Sequence, residues 1–167
     1  MSSATANITI KQPIYLLKTQ ETCYQCGEKT DVFCISASHL IDHSTEFNDE
    51  INMSSPLRKA PLRLSNLSYL DSEFRETLAK YASSYYLDYT KQGNSRYYVN
   101  HCKCGAKLGD FYLINEANSV FNPLHNDALA KNITMYELPI FDSQVKANYI
   151  AAENDFAERV FKEDYLI

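Results

Sequence analysis

The residues of this chain best suited to chemistry are cysteines in two tight sets. Cys23-Tyr24-Gln25-Cys26-Gly27 places two sulfurs on one turn, and His101-Cys102-Lys103-Cys104-Gly105 offers a second group of donors. A structural zinc ion takes four thiolate or imidazole ligands at the corners of a tetrahedron. The two residues between Cys23 and Cys26 let the backbone turn so that both sulfurs point inward. Gly27 permits the positive φ that such a turn often requires, and Lys29 follows closely enough to offset thiolate charge. The second set leaves an alternative open. Counting back from Cys104, His101 occupies the first slot of an ordinary knuckle, while Cys102 stands two positions away. The site is therefore either Cys23, Cys26, Cys102 and Cys104, with a tight CxC turn, or a Cys₃His set using His101. Cys102 is favoured because thiolates suit structural Zn²⁺.

A lone CxxC is a weak signal, since redox motifs share it. A redox CxxC normally opens a helix after a strand, whereas Gly27 and polar residues follow Cys26. Two clusters, each followed by Gly and each expected between strands, favour a metal over unrelated thiols. Cys34, the fifth cysteine, alternates with Phe33 and Ile35 as in a strand and reads as a packed core thiol.

Other candidates carry less. Gly109-Asp110 reads as a turn or bulge in which Asp110 bonds local backbone, with no partner acid or base for catalysis. His39 and His43 are four apart, but no HExxH pattern and no helical period accompany them, so exposed or capping histidines are expected. His125 is isolated. The sequence contains no Gly-rich phosphate loop and no nucleophile elbow. A four-ligand zinc site would leave no open position for water or substrate.

The elements that must position the cysteines follow from pattern. Residues Met1 to Asn7 are small and polar and expected to fray. Ile8 to Lys18 is strand-like but broken by Pro13, which suggests an irregular or edge strand. Asp31 to Ser36 reads as a short strand, and Ser38 to Ser65 as a loop with short elements. Asp71 to Ser83 is helical: Asp71 or Ser72 caps it, Glu73 and Glu76 face its positive end, and Phe74 and Leu78 share a face. Gln92-Gly93-Asn94 signals a turn. Arg96 to Asn100 and Lys107 to Ile114 flank the second knuckle as strands, and Ile133 to Phe141 is a further strand. Val145, Tyr149, Ala152, Phe156 and Val160 recur at helical spacing, which predicts a C-terminal helix. The fold class is α+β: zinc-ribbon-like antiparallel β knuckles with flanking α-helices, forming a single zinc-binding domain over residues 1–167. The metal is expected to supply much of the folding energy, so that chelation or Cys26→Ser unfolds the domain.

Longer stretches around both knuckles resemble a family of uncharacterised bacterial zinc-ribbon proteins. Tyr15 to Gly27 is similar to the opening of that family, and Tyr97-Tyr98-Val99-Asn100-His101-Cys102-Lys103-Cys104-Gly105-Ala106-Lys107-Leu108-Gly109-Asp110-Phe111 to its second signature. Phe121-Asn122-Pro123 resembles a downstream Phe-x-Pro element. The likeness spans most of residues 8–125 and is weak over Ser38 to Ser65 and at the C-terminus. This chain departs from the pattern by one residue, missing between the cysteines of the second knuckle. The resemblance implies a ribbon fold and Cys102 as ligand, and carries no agreed activity.

Bulk properties bound the function. With 167 residues, 45% hydrophobic and 22% charged, the chain has the composition of one folded domain. No secretory signal and no run of roughly 18 apolar residues is apparent, so a cytoplasmic protein without membrane association is expected. Thiols there stay reduced, which favours metal ligation over disulfides. The net charge of −5 argues against a free-standing nucleic-acid binder. A small patch of Tyr97, Tyr98, Lys103 and Lys107 nevertheless keeps a nucleic-acid-associated regulatory ribbon as the alternative. The favoured expectation is a non-enzymatic protein acting through protein contacts, an immunity protein that neutralises a cognate bacterial toxin. An acidic chain with thirteen Tyr and eight Phe suits fast capture of a basic partner.

Overall fold

The computed structural model describes residues 6–44, 49–52, 62–91, 94–116, 118–122, 127–150 and 161–163. It is an α+β fold dominated by antiparallel sheet, with short helices and a four-cysteine cluster. The strands are β1 (Ile8–Thr22), β2 (Lys29–Asp42), β3 (Asp49–Asn52), β4 (Leu62–Tyr69), β5 (Tyr85–Thr90), β6 (Ser95–His101), β7 (Lys107–Leu108), β8 (Thr134–Glu137), β9 (Ser143–Ile150) and β10 (Phe161–Glu163). The helices are α1 (Ser72–Tyr81) and α2 (Asp127–Lys131), and a π-helical turn spans Phe111–Asn115.

β1 and β2 form a long hairpin that organises the larger sheet, whose order is β10-β8-β1-β9-β4-β2-β3. β1 pairs with β2 and with β9, while β4 pairs with both β2 and β9. The pairing circuit β1-β2-β4-β9 thus closes on itself, which leaves fewer open strand edges to protect. Even-numbered residues of β1 (Ile8, Ile10, Ile14, Leu16) meet Phe33, Ile35, Leu64, Val145 and Ala147 in the main core. Leu17, Val32 and Cys34 project to the opposite face and pack with Leu108, Leu113, Phe121 and Met135. The hairpin is therefore buried on both faces along its middle.

Pro13 does not make β1 an edge. It falls at a register shift between Lys11 and Ile14, where the second neighbour of β1 changes from β9 (Ile8 to Ile10) to β8 (Tyr15 to Lys18). A residue without an N–H is tolerated at such an interruption. Asn7, expected to fray, is instead tied to β9. Its side chain accepts from the Ala147 N–H at 3.0 Å and donates to the Ala147 carbonyl at 3.1 Å. Residues 1–5 lie outside the described residues.

The region Ser38 to Ser65 is not mainly loop. β2 continues to Asp42, β3 pairs with its end, and β4 begins at Leu62; residues 45–48 and 53–61 lie outside the described residues. Pairing with β1, not local alternation, carries β2 that far. The α1 helix forms as expected, with Asp71 as N-cap accepting from the Phe74 N–H at 3.0 Å and with Phe74 and Leu78 buried.

Two expectations are corrected. Lys107 to Ile114 is not one strand: β7 has two residues, and the π-helical turn follows. Phe111 and Tyr112 are both exposed and Leu113 and Ile114 both buried, a paired pattern that a strand of period two cannot present. The predicted C-terminal helix begins instead as β9, where Ser143, Val145 and Ala147 are buried and Gln144, Lys146 and Asn148 exposed. Val145 and Tyr149 are four apart, which is one helical turn and also two strand repeats, so that spacing alone could not choose. Residues 151–160, including Ala152, Phe156 and Val160, lie outside the described residues. No helix among the described residues is long and apolar enough to cross a membrane.

Candidate metal centre

Each knuckle is the turn of a hairpin. Cys23 to Glu28 joins β1 to β2, and Cys102 to Ala106 joins β6 to β7 in the second sheet, of order β5-β6-β7. The Gly27 N–H donates to the Cys23 carbonyl at 2.9 Å and the Cys23 N–H to the Glu28 carbonyl at 2.8 Å. In the second knuckle the Gly105 N–H donates to the Cys102 carbonyl at 2.9 Å and the Cys102 N–H to the Ala106 carbonyl at 2.9 Å. The two turns are the same construction, the second shortened by one residue. Each ends in a glycine of left-handed backbone, Gly27 at φ 78° and Gly105 at φ 94°, a conformation that side chains disfavour.

The turns bring four sulfurs together. Those of Cys23, Cys26, Cys102 and Cys104 all lie within 4.8 Å of one another. Cys23 Sγ is 3.7 Å from Cys104 Sγ, and Cys26 Sγ is 3.6 Å from Cys102 Sγ. A disulfide would need about 2.05 Å. Four sulfurs at about 2.3 Å from a central ion stand about 3.8 Å apart in a regular tetrahedron. The donor set and its spacing fit one thiolate-bound metal ion. Cys23 and Cys102 are buried, while Cys26 and Cys104 reach solvent.

The site favours a cation electrostatically. Backbone N–H donors from Cys26 and Gln25 hold the Cys23 thiol down at about 7, against its burial. At Cys26 the Glu28 N–H favours the thiolate, but burial and the neighbouring Cys102, Cys104 and Cys23 sulfurs push it up to about 12. Cys104 is likewise raised, its Ala106 N–H outweighed by burial and by Cys23 and Cys102. Four thiolates this close repel one another, and a bound cation removes the penalty.

His101 lies outside this cluster. Its Nδ1 is 3.1 Å from the Ser84 carbonyl and its Nε2 2.8 Å from Asp88 Oδ2, and its ring stacks on Tyr86 at 3.8 Å. Both nitrogens are engaged by β5 and the residue before it. The His101 hydrogen bond, with help from the Tyr89 N–H, holds the Asp88 carboxyl below its ordinary range. Cys34 is fully buried, with its Sγ 3.7 Å from the Leu64 carbonyl. It is a core thiol, and burial pushes it far up.

The remaining candidates do not converge on the cysteines. His39 lies within β2, and His43 Nε2 is 2.7 Å from Thr9 Oγ1. His125 and Pro123 lie outside the described residues. Asp110 is not a local turn aspartate: it is buried and accepts the N–H of Asn66, 44 residues away, at 2.7 Å. Burial pushes its carboxyl up to about 7 against that bond. Tyr98 is buried against Tyr85, with ring centroids 5.8 Å apart, which removes it from the imagined stacking surface with Tyr97. Lys107 is 3.5 Å from Asp88 Oδ2.

Two features escaped the sequence reading. One is β5, whose Tyr86, Leu87 and Tyr89 are exposed. The other is the buried Arg63, which donates to the Phe121 carbonyl and, at 3.3 Å, to Asn122 Oδ1. The Phe121-Asn122 pair was legible as a motif, but nothing in the sequence joined it to Arg63. No protein-family model, curated protein or solved structure matches this chain.

Proposed function

We propose that this chain is a structural-zinc protein that works through protein–protein contacts, as an immunity protein that neutralises a cognate bacterial toxin. The supporting observation is a set of exposed large side chains on and beside the three-stranded sheet. Tyr86, Leu87 and Tyr89 lie on β5, Tyr24 on the first knuckle, and Phe111 and Tyr112 on the π-helical turn. Tyr24 and Tyr112 border one shallow apolar cavity with Leu108. Aromatic side chains supply much of the affinity at protein interfaces and are costly to leave in water. Among the described residues β5 is also the outer strand of its sheet, paired with β6 alone.

Zinc is the metal of this reading. Sulfurs in mutual contact leave room for one ion, and Zn²⁺ accepts four thiolates in a tetrahedron without redox chemistry. The ion ties the β1–β2 turn to the β6–β7 turn and so steadies the sheet that presents the aromatic residues. The net charge of −5 supports a basic partner.

A nucleic-acid-associated ribbon remains the second reading, carried by one groove. Lys29, Lys103, Tyr86 and His101 line a polar depression of about 510 Å³ beside the second knuckle. Asp31 lies in the same groove, 3.7 Å from Lys18, and weakens its pull on phosphate. The test is capture of the tagged chain's companion from its native host at moderate salt. A single stoichiometric protein, toxic when expressed alone and no longer retained by Tyr86→Ala with Tyr89→Ala, supports the immunity reading. Nucleic acid lost on nuclease treatment overturns it.

A further inference from the structure

We propose that the four knuckle cysteines form a peroxide-sensitive switch, in which oxidation replaces the bound ion with two disulfides that run between the knuckles, Cys23–Cys104 and Cys26–Cys102. The inference rests on the metal reading above and adds a second, metal-free state to the same site.

The four sulfurs are not equivalent. Each knuckle carries one buried and one exposed cysteine, Cys23 and Cys26 in the first, Cys102 and Cys104 in the second. An oxidant arriving from solvent therefore meets Cys26 or Cys104 first. Exposure alone allows each of these to pair with the buried cysteine of its own knuckle or of the other. Distance separates the two outcomes. Cys104 Sγ is 3.7 Å from Cys23 Sγ, and Cys26 Sγ is 3.6 Å from Cys102 Sγ. Both contacts cross from one knuckle to the other, and each joins an exposed sulfur to a buried one. A disulfide has a length of about 2.05 Å, so each pair has to close by roughly 1.6 Å.

The second knuckle also resists an internal bond. Lys103 alone separates Cys102 from Cys104. The turn is held by the Gly105 N–H on the Cys102 carbonyl and by the Cys102 N–H on the Ala106 carbonyl. A ring closed over a single residue would have to distort that backbone to reach disulfide geometry. Cross-knuckle closure asks less of the fold. Of the buried residues, only Ala106 joins Cys23 and Cys102 in their cluster, which is separate from the two larger cores.

The chemistry needs only hydrogen peroxide as oxidant. The Cys104 thiolate attacks one peroxide oxygen, the O–O bond breaks, and hydroxide leaves a sulfenic acid behind. The Cys23 thiolate attacks that sulfur, the S–O bond breaks, and a second hydroxide departs. Cys26 and Cys102 repeat the sequence with a second peroxide. Four thiolates lose four electrons, and two peroxides become four hydroxides. The disulfides carry no charge to hold a cation, so the site releases its ion.

Both bonds span the gap that the ion spans. They tie the β1–β2 turn to the β6–β7 turn, joining residues 81 and 76 positions apart. Crosslinks that close long loops restrict the unfolded chain most. The oxidised protein thus keeps its two sheets joined after the metal has gone, and a thiol reductant returns it to the metal-binding form. Bonds within the knuckles would release the ion and leave no covalent tie between the turns.

The zinc-loaded full chain, freed of reductant, should be treated with about two molar equivalents of hydrogen peroxide. A chromophoric chelator reads the zinc released. Mass spectrometry of unreduced peptides, with free thiols blocked by iodoacetamide, reads the pairing. Cleavage after Tyr24 and after Lys103 separates the two cysteines of each knuckle. Loss of the zinc, disulfides Cys23–Cys104 and Cys26–Cys102, and a free Cys34 thiol are expected, with zinc binding restored by dithiothreitol and added zinc. The oxidised chain should melt at least about 5 °C above the reduced, chelated chain. Four results overturn the proposal: Cys23–Cys26 or Cys102–Cys104 as the main product, sulfinic acids in place of disulfides, zinc retained throughout, or an oxidised midpoint no higher than the chelated one. The metal content of the untreated chain tests the metal reading by itself. A chain that holds zinc but pairs its cysteines within the knuckles sinks the switch alone, and a chain that binds no zinc sinks both.

Discussion

Asn100 completes the open side of β2 at Phe33. Its Oδ1 accepts the Phe33 N–H at 2.8 Å, and its Nδ2 donates to the Phe33 carbonyl at 3.0 Å. Phe33 pairs with Lys18 of β1 on its other side, and β4 reaches β2 only at Ser36 and Ala37. The side chain thus stands in for a missing strand and docks the metal-bearing sheet against the hairpin. Asn7 treats Ala147 in the same way.

Asn100→Ala would leave two buried backbone groups without partners. At about 1–3 kcal/mol each, a loss of about 2–6 kcal/mol is expected in denaturant-induced unfolding. Asn100→Asp keeps the acceptor but places a carboxylate against the Phe33 carbonyl, and should cost at least as much. A change below about 0.5 kcal/mol for Asn100→Ala would show that the docking does not depend on this pair.

The purified chain should carry one zinc ion, measured by elemental analysis. Cys102→Ser should lose it, while His101→Ala should keep it, because the His101 ring is held by Ser84 and Asp88. Metal retention by Cys102→Ser together with loss in His101→Ala would restore the Cys₃His assignment.

Chelation should lower the thermal midpoint by about 10 °C or more, at roughly 2–4 °C per kcal/mol for a chain of this size. The sulfur cluster packs only with Ala106 among the buried residues, separate from the two larger cores. A cooperative melt should therefore survive metal removal, so the sequence-based expectation of outright unfolding is revised. An unchanged midpoint after chelation would end the structural-metal reading.

Cys34 should differ from the other four thiols in reactivity. It is fully buried and its thiol is pushed far above the ordinary range. In chelated native protein, iodoacetamide should modify the four knuckle cysteines, at unequal rates, and Cys34 only in denaturant. Mass spectrometry of the alkylated peptides reads this directly, and early labelling of Cys34 would contradict its place in the core.

Asp110 gives stability a pH dependence of defined sign. Folded, its carboxyl titrates near 7, whereas unfolded it returns to about 3.9. Its contribution is therefore full below about pH 4 and is lost as pH rises through about 7. Asp110→Asn cannot ionise but can still accept the Asn66 N–H. Relative to the parent chain it should gain stability as pH rises from about 4 to about 7. A difference in unfolding midpoint that stays constant across that range would show that the carboxyl is not perturbed by burial.

The sequence by itself determined the local features. The donor types, the two glycine-ended turns and the one-residue shortening of the second knuckle were legible in it, because a turn is set by the residues within it. The capped helix at Asp71 was legible for the same reason, as was the alternation that buries Cys34. Spacing could not decide between Cys102 and His101: the choice depends on Ser84 and Asp88, which occupy both nitrogens of the ring from β5 and the residue before it. Nor could it read the Val145–Tyr149 spacing, since four residues fit a helix and a strand equally and only pairing with β4 and β1 selects the strand. The continuation of β2 past Ser38 and the roles of Asn7, Arg63, Asn100 and Asp110 were likewise settled in three dimensions. Each of these depends on a partner far along the chain, and the free energy of a buried polar group lies in that partner rather than in its neighbours in sequence.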